Sequence, residues 1–313
     1  MKDSPVRLFP IFKERVWGGH RLEEFNYSLS SNKTGEAWLL CDHIEGKNLP
    51  ALSEEFLGKN MISSKTGRLS LLIKLLDSNE DLSIQVHPSN DYKKLKDTEL
   101  GKAEVWYVVD ACPDAHIVYG LAEGVSLELL TSSIKNDTIL SKVRKLSVKK
   151  GDVIYIPPGT VHALCAGVVV LEVQQNSDTT FRLFDYNRIG LDGKPRDLHI
   201  EQSLEVINFN DNSLDIKAPL QKRGSNWSLV ERNEYFTVEI CSKSKSISSM
   251  IYTEAIQDSC TFILCLDGDG YLCWSNGVKY KLKKGDCFLV PAGKHFYYFT
   301  GDNNFQILRS YIE

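Results

Sequence analysis

One phrase occurs twice in this chain, and its repetition restricts the folds open to the sequence. KLSVKKGDVIYIPPGTVHAL at 145–164 matches YKLKKGDCFLVPAGKHFYYF at 280–299 almost position for position. Each copy reads as a strand, a Lys-Lys-Gly-Asp turn, an apolar strand, a Pro-x-Gly turn and a histidine. A phrase in this order, met twice, implies two copies of one β unit. Its surroundings agree. AEVWYVVDA, AHIVYGLA, VVVLEVQQ and TTFRLFDYN supply strands around the first copy, and WSLVERNEYFTVEICSK and TFILCLDGDGYLCW surround the second. Helical signals are few. The spacing in 51–64 predicts a short helix, 91–102 is charged and helix-prone, a crossover or lid, and 126–145 reads as a helical insertion. The chain is therefore expected to be mainly β, two barrels with a few helices inserted in the first half.

Within the first copy, four side chains stand out. Gln85 and His87 in LSIQVHPSND are two residues apart, so on an extended strand both leave the same face. Glu104 opens the apolar run AEVWYVV, where a carboxylate on a buried face needs a cation or a metal. His162 closes the repeated phrase. Two imidazoles, a carboxylate and an amide oxygen form a set suited to one divalent metal, zinc above all, with a position left for substrate. In the second copy His295 has no such partners upstream and is read as a strand-edge histidine. The polar, irregular stretch 208–226 marks a boundary. We expect a metal-binding unit over 1–222, with the helical insertions, and a β unit without metal ligands over 223–313.

The formal charge of −4 argues against a nucleic-acid binder. No run approaches the length needed to span a bilayer. The first twenty residues lack the apolar core of a signal peptide, so a cytoplasmic location is the expectation. The eight cysteines form no CxxC pair and read as reduced, mostly buried thiols.

The phrase GDxxxxPxGxxH resembles the second half of a cupin motif, in which a jelly-roll barrel holds one metal. The wider series is more specific. LLIKLLDSNEDLSIQVHPSND, GKAEVWYVVD, IPPGTVHALCAGVVVLEVQQNSDTTFRLFDYNR and DGKPRDLH, with ERVWGG and TGEAW upstream, resemble the type I phosphomannose isomerases in their short bacterial form. The likeness spans essentially the whole chain, including a metal-free second cupin. It implies interconversion of mannose 6-phosphate and fructose 6-phosphate with one zinc held by Gln85, His87, Glu104 and His162. The family's essential arginine falls on Arg182, its polar active-site positions on Lys74, Lys102 and Glu172, and places associated with the substrate phosphate on Ser83 and Arg188. No membrane or nucleic-acid partner is implied, and the chain is expected to be a monomer or weak homo-oligomer.

Moving a proton between two sugar carbons through an enediol requires charge stabilisation at the carbonyl oxygen and a positioned base. Glu172, in the apolar run VVVLEVQQ, is one candidate base and a zinc-activated water is its rival. Lys102 could donate to an oxygen, and Arg182 supplies fixed positive charge for an enediolate or an anionic substrate. Two other functions remain open. An iron-dependent cupin dioxygenase would commonly use three histidines where this chain has Gln85, and a non-catalytic sugar-sensing cupin would leave Arg182 and Glu172 without a task.

Overall fold

The structure, a computed structural model, describes residues 4–210, 215–221, 225–242 and 250–313. Strict alternation of side chains sets the architecture. On strand Glu104–Ala111, Val105, Tyr107 and Val109 face one way while Trp106 and Val108 face the other, and both sets are buried. Val168–Gln175 and Leu71–Ser78 follow the same rule, which only a sheet covered on both faces can satisfy. These three strands lie at the centre of a seven-stranded sheet. Its order is Ile216–Lys217, Val153–Ile156, Glu104–Ala111, Val168–Gln175, Leu71–Ser78, Ile11–Gly19 and Thr34–Leu40.

One face of this sheet packs Trp106, Val108, Ile154, Val168 and Val170 against a five-stranded sheet. That sheet runs Val143–Ser147, His116–Leu121, His162–Leu164, Ile84–Val86 and Phe181–Phe184. The other face presents Val105, Ile73, Leu171 and Val173 to Val238, Phe262, Leu264 and Leu308 of a second seven-stranded sheet. The second sheet in turn closes over a four-stranded sheet around Ile263, Trp274, Phe288 and Phe299. The protein is thus mainly β: two jelly-roll sandwiches stacked back to back, four sheets deep. The expected border between 222 and 223 lies outside the described residues. Strand Val6–Leu8, from the start of the chain, pairs with Cys287–Val290 and buries Leu8 in the core shared by both halves.

The helical expectations are met unevenly. In 51–64 only Glu54–Leu57 is α-helical, started by Ser53 Oγ accepting from Phe56 N, and a 3-10 turn follows. Helix Leu127–Lys135 forms with Ser126 as its cap, but the predicted insertion ends early because Val143–Ser147 is a strand. Segment 91–102 is corrected outright: it is a run of turns. Asn90 Oδ1 accepts from Gly101 N at 2.8 Å, tying the base of a loop, and 91–102 carries no continuous apolar stripe to hold a helix. All eight cysteines are free, and seven are buried.

The repeated turn is built identically in both copies: Asp152 accepts from Lys149 N and Asp286 from Lys283 N, each at 2.9 Å. Its glycines have φ of +93° at Gly151 and +91° at Gly285. Their surroundings differ. A Cβ on Gly151 would meet nothing within 4 Å, whereas one on Gly285 would lie 2.1 Å from Phe25 O. Gly151→Ala should therefore cost only the backbone strain of about 1–2 kcal/mol. Gly285→Ala should cost at least about 2 kcal/mol more, because main chain must move. Urea unfolding of both variants measures this, and equal losses would contradict the packing described.

Candidate functional site

At one end of the first sandwich the inward positions change from apolar to charged. Lys74, Glu104 and Glu172 occupy inward places on the three central strands, in line with Leu76, Trp106 and Val170. From the facing sheet, His162 and Arg182 both stand opposite Gln85 in register. His87 follows directly on strand Ile84–Val86, and Lys102 precedes Glu104 by two residues. The sandwich thus gathers eight of the residues read from the sequence into one place.

His87, Glu104 and His162 are buried, and a ligand atom from each lies within 4.8 Å of the others. The ring nitrogens are ordered by the backbone. His162 Nδ1 contacts Thr160 O and His87 Nδ1 contacts Thr179 O, both at 2.9 Å, so each Nδ1 carries the proton and donates. Both Nε2 atoms are then lone-pair acceptors. Glu104 Oε1 lies 3.2 Å from His162 Nε2 and has no hydrogen bond, and Glu104 Oε2 lies 3.6 Å from His87 Nε2. Acceptors facing acceptors without water are stable only around a cation, and this donor set fits a divalent metal. Gln85 completes it: its amide touches His162 Nε2 at 3.3 Å at one end and Ser83 Oγ at 3.3 Å at the other. Because the serine hydroxyl can donate or accept, the amide can present oxygen to the histidines.

Lys102 supplies one positive charge at this point. Its Nζ donates to Glu104 Oε2 at 2.6 Å and sits 3.2 Å from His87 Nε2. Burial and then the Lys102 charge hold His87 well below the usual histidine range, so it is neutral. Burial opposes the charge on Glu104, but the Lys102 ammonium beside it outweighs burial and holds the carboxyl well below its ordinary range. Glu172 behaves oppositely. Burial pushes its carboxyl up, only partly offset by Lys102 and Lys74, and Glu104 adds to the rise. Its Oε2 accepts from Trp106 Nε1 at 3.0 Å, and its Oε1 lies 3.6 Å from Lys74 Nζ. The Lys74 ammonium is buried, 3.6 and 4.0 Å from its nearest carboxylates, Glu172 and Asp178, so its donors are available to a ligand.

These groups open onto a cavity of about 440 Å³. Lys74, Ser83, Gln85, Lys102, Glu172 and Arg182 line it, with His87, Glu104 and His162 buried behind. Arg188 does not line it. Tyr186 and Asn187 have left-handed backbone, φ 58° and 52°, and the chain reverses there. Arg188 pairs with Asp185, 2.9 Å away, and Glu80, 3.7 Å away. Arg15, Glu36, Asp178 and Arg196 line the cavity without having been singled out from the sequence. Parity could have found Glu36, which alternates with Ala37 on strand Thr34–Leu40. It accepts from Arg15 at 2.8 and 3.1 Å and from Trp38 Nε1 at 2.6 Å.

The segment 174–180 ties the site together. Gln174 Nε2 donates to Gln175 O and Ser177 O, at 2.8 and 2.6 Å. Gln175 Oε1 accepts from Ala103 N, beside Lys102, and its Nε2 reaches Asn90. Asn176 donates to Asp42 O and Leu69 O. Thr179 offers its carbonyl to His87 and its hydroxyl to Glu99.

Comparison with known proteins agrees with this arrangement. The family description "Phosphomannose isomerase type I, catalytic domain" matches residues 6–110, and "Mannose-6-phosphate isomerase, cupin domain" matches 226–312. The chain is 36% identical to the probable mannose-6-phosphate isomerase GmuF of Bacillus subtilis, over 98% of this chain and 99% of that protein. It is 35% identical to the mannose-6-phosphate isomerase ManA of the same organism, over 94% and 95%. The crystal structure of the mannose 6-phosphate isomerase from Bacillus subtilis superposes with a TM-score of 0.86 at 33% identity, covering 99% of this chain and 100% of that one.

Glu36 yields a pH prediction. Burial raises its carboxyl, but Lys74 and Arg15 prevail and bring it from 4.5 to about 2. A depressed carboxyl contributes stability that is present above its unfolded value and lost as pH falls through the folded one. Glu36→Gln should cost about 3 kcal/mol at pH 7, where it leaves the buried Lys74 and the half-buried Arg15 short of a partner. Unfolding measured from pH 7 to pH 3 should show the gap to the parent protein closing below about pH 4.5. A gap independent of pH would contradict the assignment.

Proposed function

The chain belongs to the type I phosphomannose isomerase family, and on that premise we propose that its first sandwich interconverts mannose 6-phosphate and fructose 6-phosphate through an enediol with one zinc ion. The observation that carries the reading is the pairing, in one cavity, of a metal-competent His–Glu–His group with a buried carboxyl whose proton affinity is raised. Gln85, His87, Glu104 and His162 would hold the ion. Bound there, zinc supplies Lewis acidity toward the carbonyl and hydroxyl oxygens at the reacting end of the sugar.

The chain's own residues do the rest. Glu172, as a carboxylate, takes the proton from C2 of the aldose and returns it to C1 of the enediol, while the hydroxyl proton passes from O2 to O1, giving the ketose. The reverse direction uses the same carboxyl, now with the proton first taken from C1. Burial suits Glu172 to this, because a base whose affinity lies nearer neutrality shares a carbon-bound proton better than an ordinary carboxylate. Trp106 fixes one of its oxygens. Lys74 donates to sugar oxygens from beside the other, and Lys102 donates at the metal end. Arg182 carries a permanent charge on the same wall as Gln85 and stabilises negative charge on the substrate. Ser83, at the amide of Gln85, contributes a hydroxyl to substrate binding.

We assign the chemistry to residues 1–222 and a supporting part to 223–313. In the second sandwich the inward positions that match the first site in character hold Glu239 and Arg309, bonded at 2.7 and 2.5 Å, with Tyr311 on the same carboxylate. No helix among the described residues is long and apolar enough to cross a membrane. The enzyme is proposed to work in the cytoplasm as a monomer or weak homo-oligomer.

Two measurements test the reading. In a coupled assay the purified protein should form fructose 6-phosphate from mannose 6-phosphate, lose activity with a chelator and regain it with zinc. Activity that persists after complete metal removal would sink the mechanism. Arg182→Ala should keep its metal while kcat falls at least about 100-fold, the scale of a lost electrostatic contact in a transition state. Normal turnover by that variant would remove Arg182 from the chemistry.

A further inference from the structure

The two histidines of the metal-competent group are oriented by carbonyls that are held in different ways. Thr160 O, which takes the Nδ1 proton of His162, sits in a turn fixed by main chain. Thr160 N donates to Pro157 O at 3.2 Å and Gly159 N to His87 O at 2.9 Å, and strand His162–Leu164 follows at once. Thr179 O, which takes the Nδ1 proton of His87, lies where the chain crosses between sheets, after Val168–Gln175 and before Phe181–Phe184. Among the described residues Thr179 has no partner strand. Its N–H meets Ser177 Oγ only at 3.3 Å. The firmer hold is its own hydroxyl, which donates to Glu99 Oε2 at 2.9 Å.

Glu99 is itself anchored. It stands three residues before Lys102 in the loop 91–102, and the loop is closed beside it. Gly101 N donates to Asn90 Oδ1 at 2.8 Å, and Lys102 N donates to Pro88 O at 3.0 Å. Pro88 adjoins His87, so the main chain next to His87 and the acceptor of its ring are tied to the same short stretch. Glu99 N donates to Lys96 O at 3.0 Å, and Lys96 Nζ stands 3.6 Å from Glu99 Oε1, which leaves Oε2 to the threonine. The Glu99 side chain is 32% exposed, in a cleft of about 420 Å³ that Leu95, Lys96, Thr179 and Phe181 also line. The loop has another anchor on a different element: Tyr92 OH donates to Glu205 Oε2 at 2.7 Å, on helix Ile200–Val206.

We propose that Glu99 is a positioning residue for the metal site: by holding the Thr179 hydroxyl it fixes the peptide whose carbonyl orients the His87 ring. The inference rests on the metal-binding reading above and adds to it a residue that touches neither metal nor substrate. Its effect is on preorganisation. A ring whose Nδ1–H keeps its acceptor presents Nε2 in one tautomer and one direction. A ring free to turn must be ordered when the ion binds, which costs affinity. A carboxylate accepts a stronger hydrogen bond than a neutral group, which suits Glu99 to this task in a cleft open to water.

Zinc affinity, measured by competition with a chromophoric chelator, separates this role from general support of the fold. Glu99→Ala and Thr179→Val should each weaken zinc binding about tenfold, the low end of the loss on removing an outer partner of a metal ligand. The double variant should lose no more than either single one, because both remove the same contact. Glu99→Gln, which keeps an acceptor for the hydroxyl, should lose no more than about threefold. Tyr92→Phe, which loosens the loop at its other anchor, should bind zinc like the parent protein. With cobalt in place of zinc, the visible absorption band should shift in Glu99→Ala and stay in place in Tyr92→Phe. Parent-like affinity in Glu99→Ala, additive losses in the double variant, or an equal loss in Tyr92→Phe would overturn the assignment. If the parent protein binds no zinc, the metal reading fails separately, and histidine NMR of the metal-free protein decides. Faster exchange of the His87 Nδ1 proton in Glu99→Ala then supports the assignment, and unchanged exchange refutes it.

Discussion

Everything at this site follows from three acceptors meeting where water is excluded. The Nε2 atoms of His87 and His162 and the carboxylate of Glu104 converge within 4.8 Å, and backbone carbonyls have already taken the protons from the other ring nitrogens. Lone pairs cannot be left facing one another in a buried place. The chain answers in two ways. It inserts the Lys102 ammonium between Glu104 and His87, and it leaves Glu104 Oε1 free toward His162 for a second cation. The fold is thereby self-consistent before metal arrives, while the strongest local demand for positive charge stays unmet.

Holding that arrangement is the work of the sandwich. Alternation along three central strands delivers Lys74, Glu104 and Glu172 to one interior, and register across the facing sheet sets His162 and Arg182 opposite Gln85. Strands alone do not fix ring orientation. Thr160 O does so for His162, and the segment 174–180 for His87, since it reaches the Lys102 strand through Gln175, the neighbouring sheet edge through Asn176 and the His87 ring through Thr179. The second sandwich has the same plan but fills its polar end with the Glu239–Arg309 pair under Tyr311, a set that satisfies itself and asks for no ion. Its back face shares one core with the first, so it stiffens the sheet that holds Lys74, Glu104 and Glu172.

Sequence patterns captured what depends on period and order. The two-residue spacing of Gln85 and His87, the buried carboxylate at Glu104 and the repeated phrase ending in His162 were all visible as strand arithmetic. What escaped depends on where a loop turns or what lies across a sheet boundary. Arg188 and Arg196 are indistinguishable as letters, yet both bind Asp185 and only Arg196 lines the cavity. Gly151 and Gly285 occupy the same place in the repeat, yet only the second presses on Phe25. Val6–Leu8 reads as an ordinary N-terminal run, and its pairing with Cys287–Val290 spans nearly the whole chain. Segment 91–102 has helical composition, but Asn90 closes it into a loop.

The charge pattern of the cavity also bears on what it can hold. Glu104 and Lys102, Glu172 and Lys74, and Glu36 and Arg15 each neutralise within a few ångströms, so most of the wall has no net field. Arg196 and Arg188 share Asp185, and the charge of Arg188 is screened by Glu80 on the solvent side. Glu14, Glu45, Asp178 and Asp192 line the cavity as well, so Arg182 adds its charge to a wall that carries both signs. A ligand entering there exchanges contacts with groups that are already paired, so its hold depends on hydrogen-bond geometry more than on net charge.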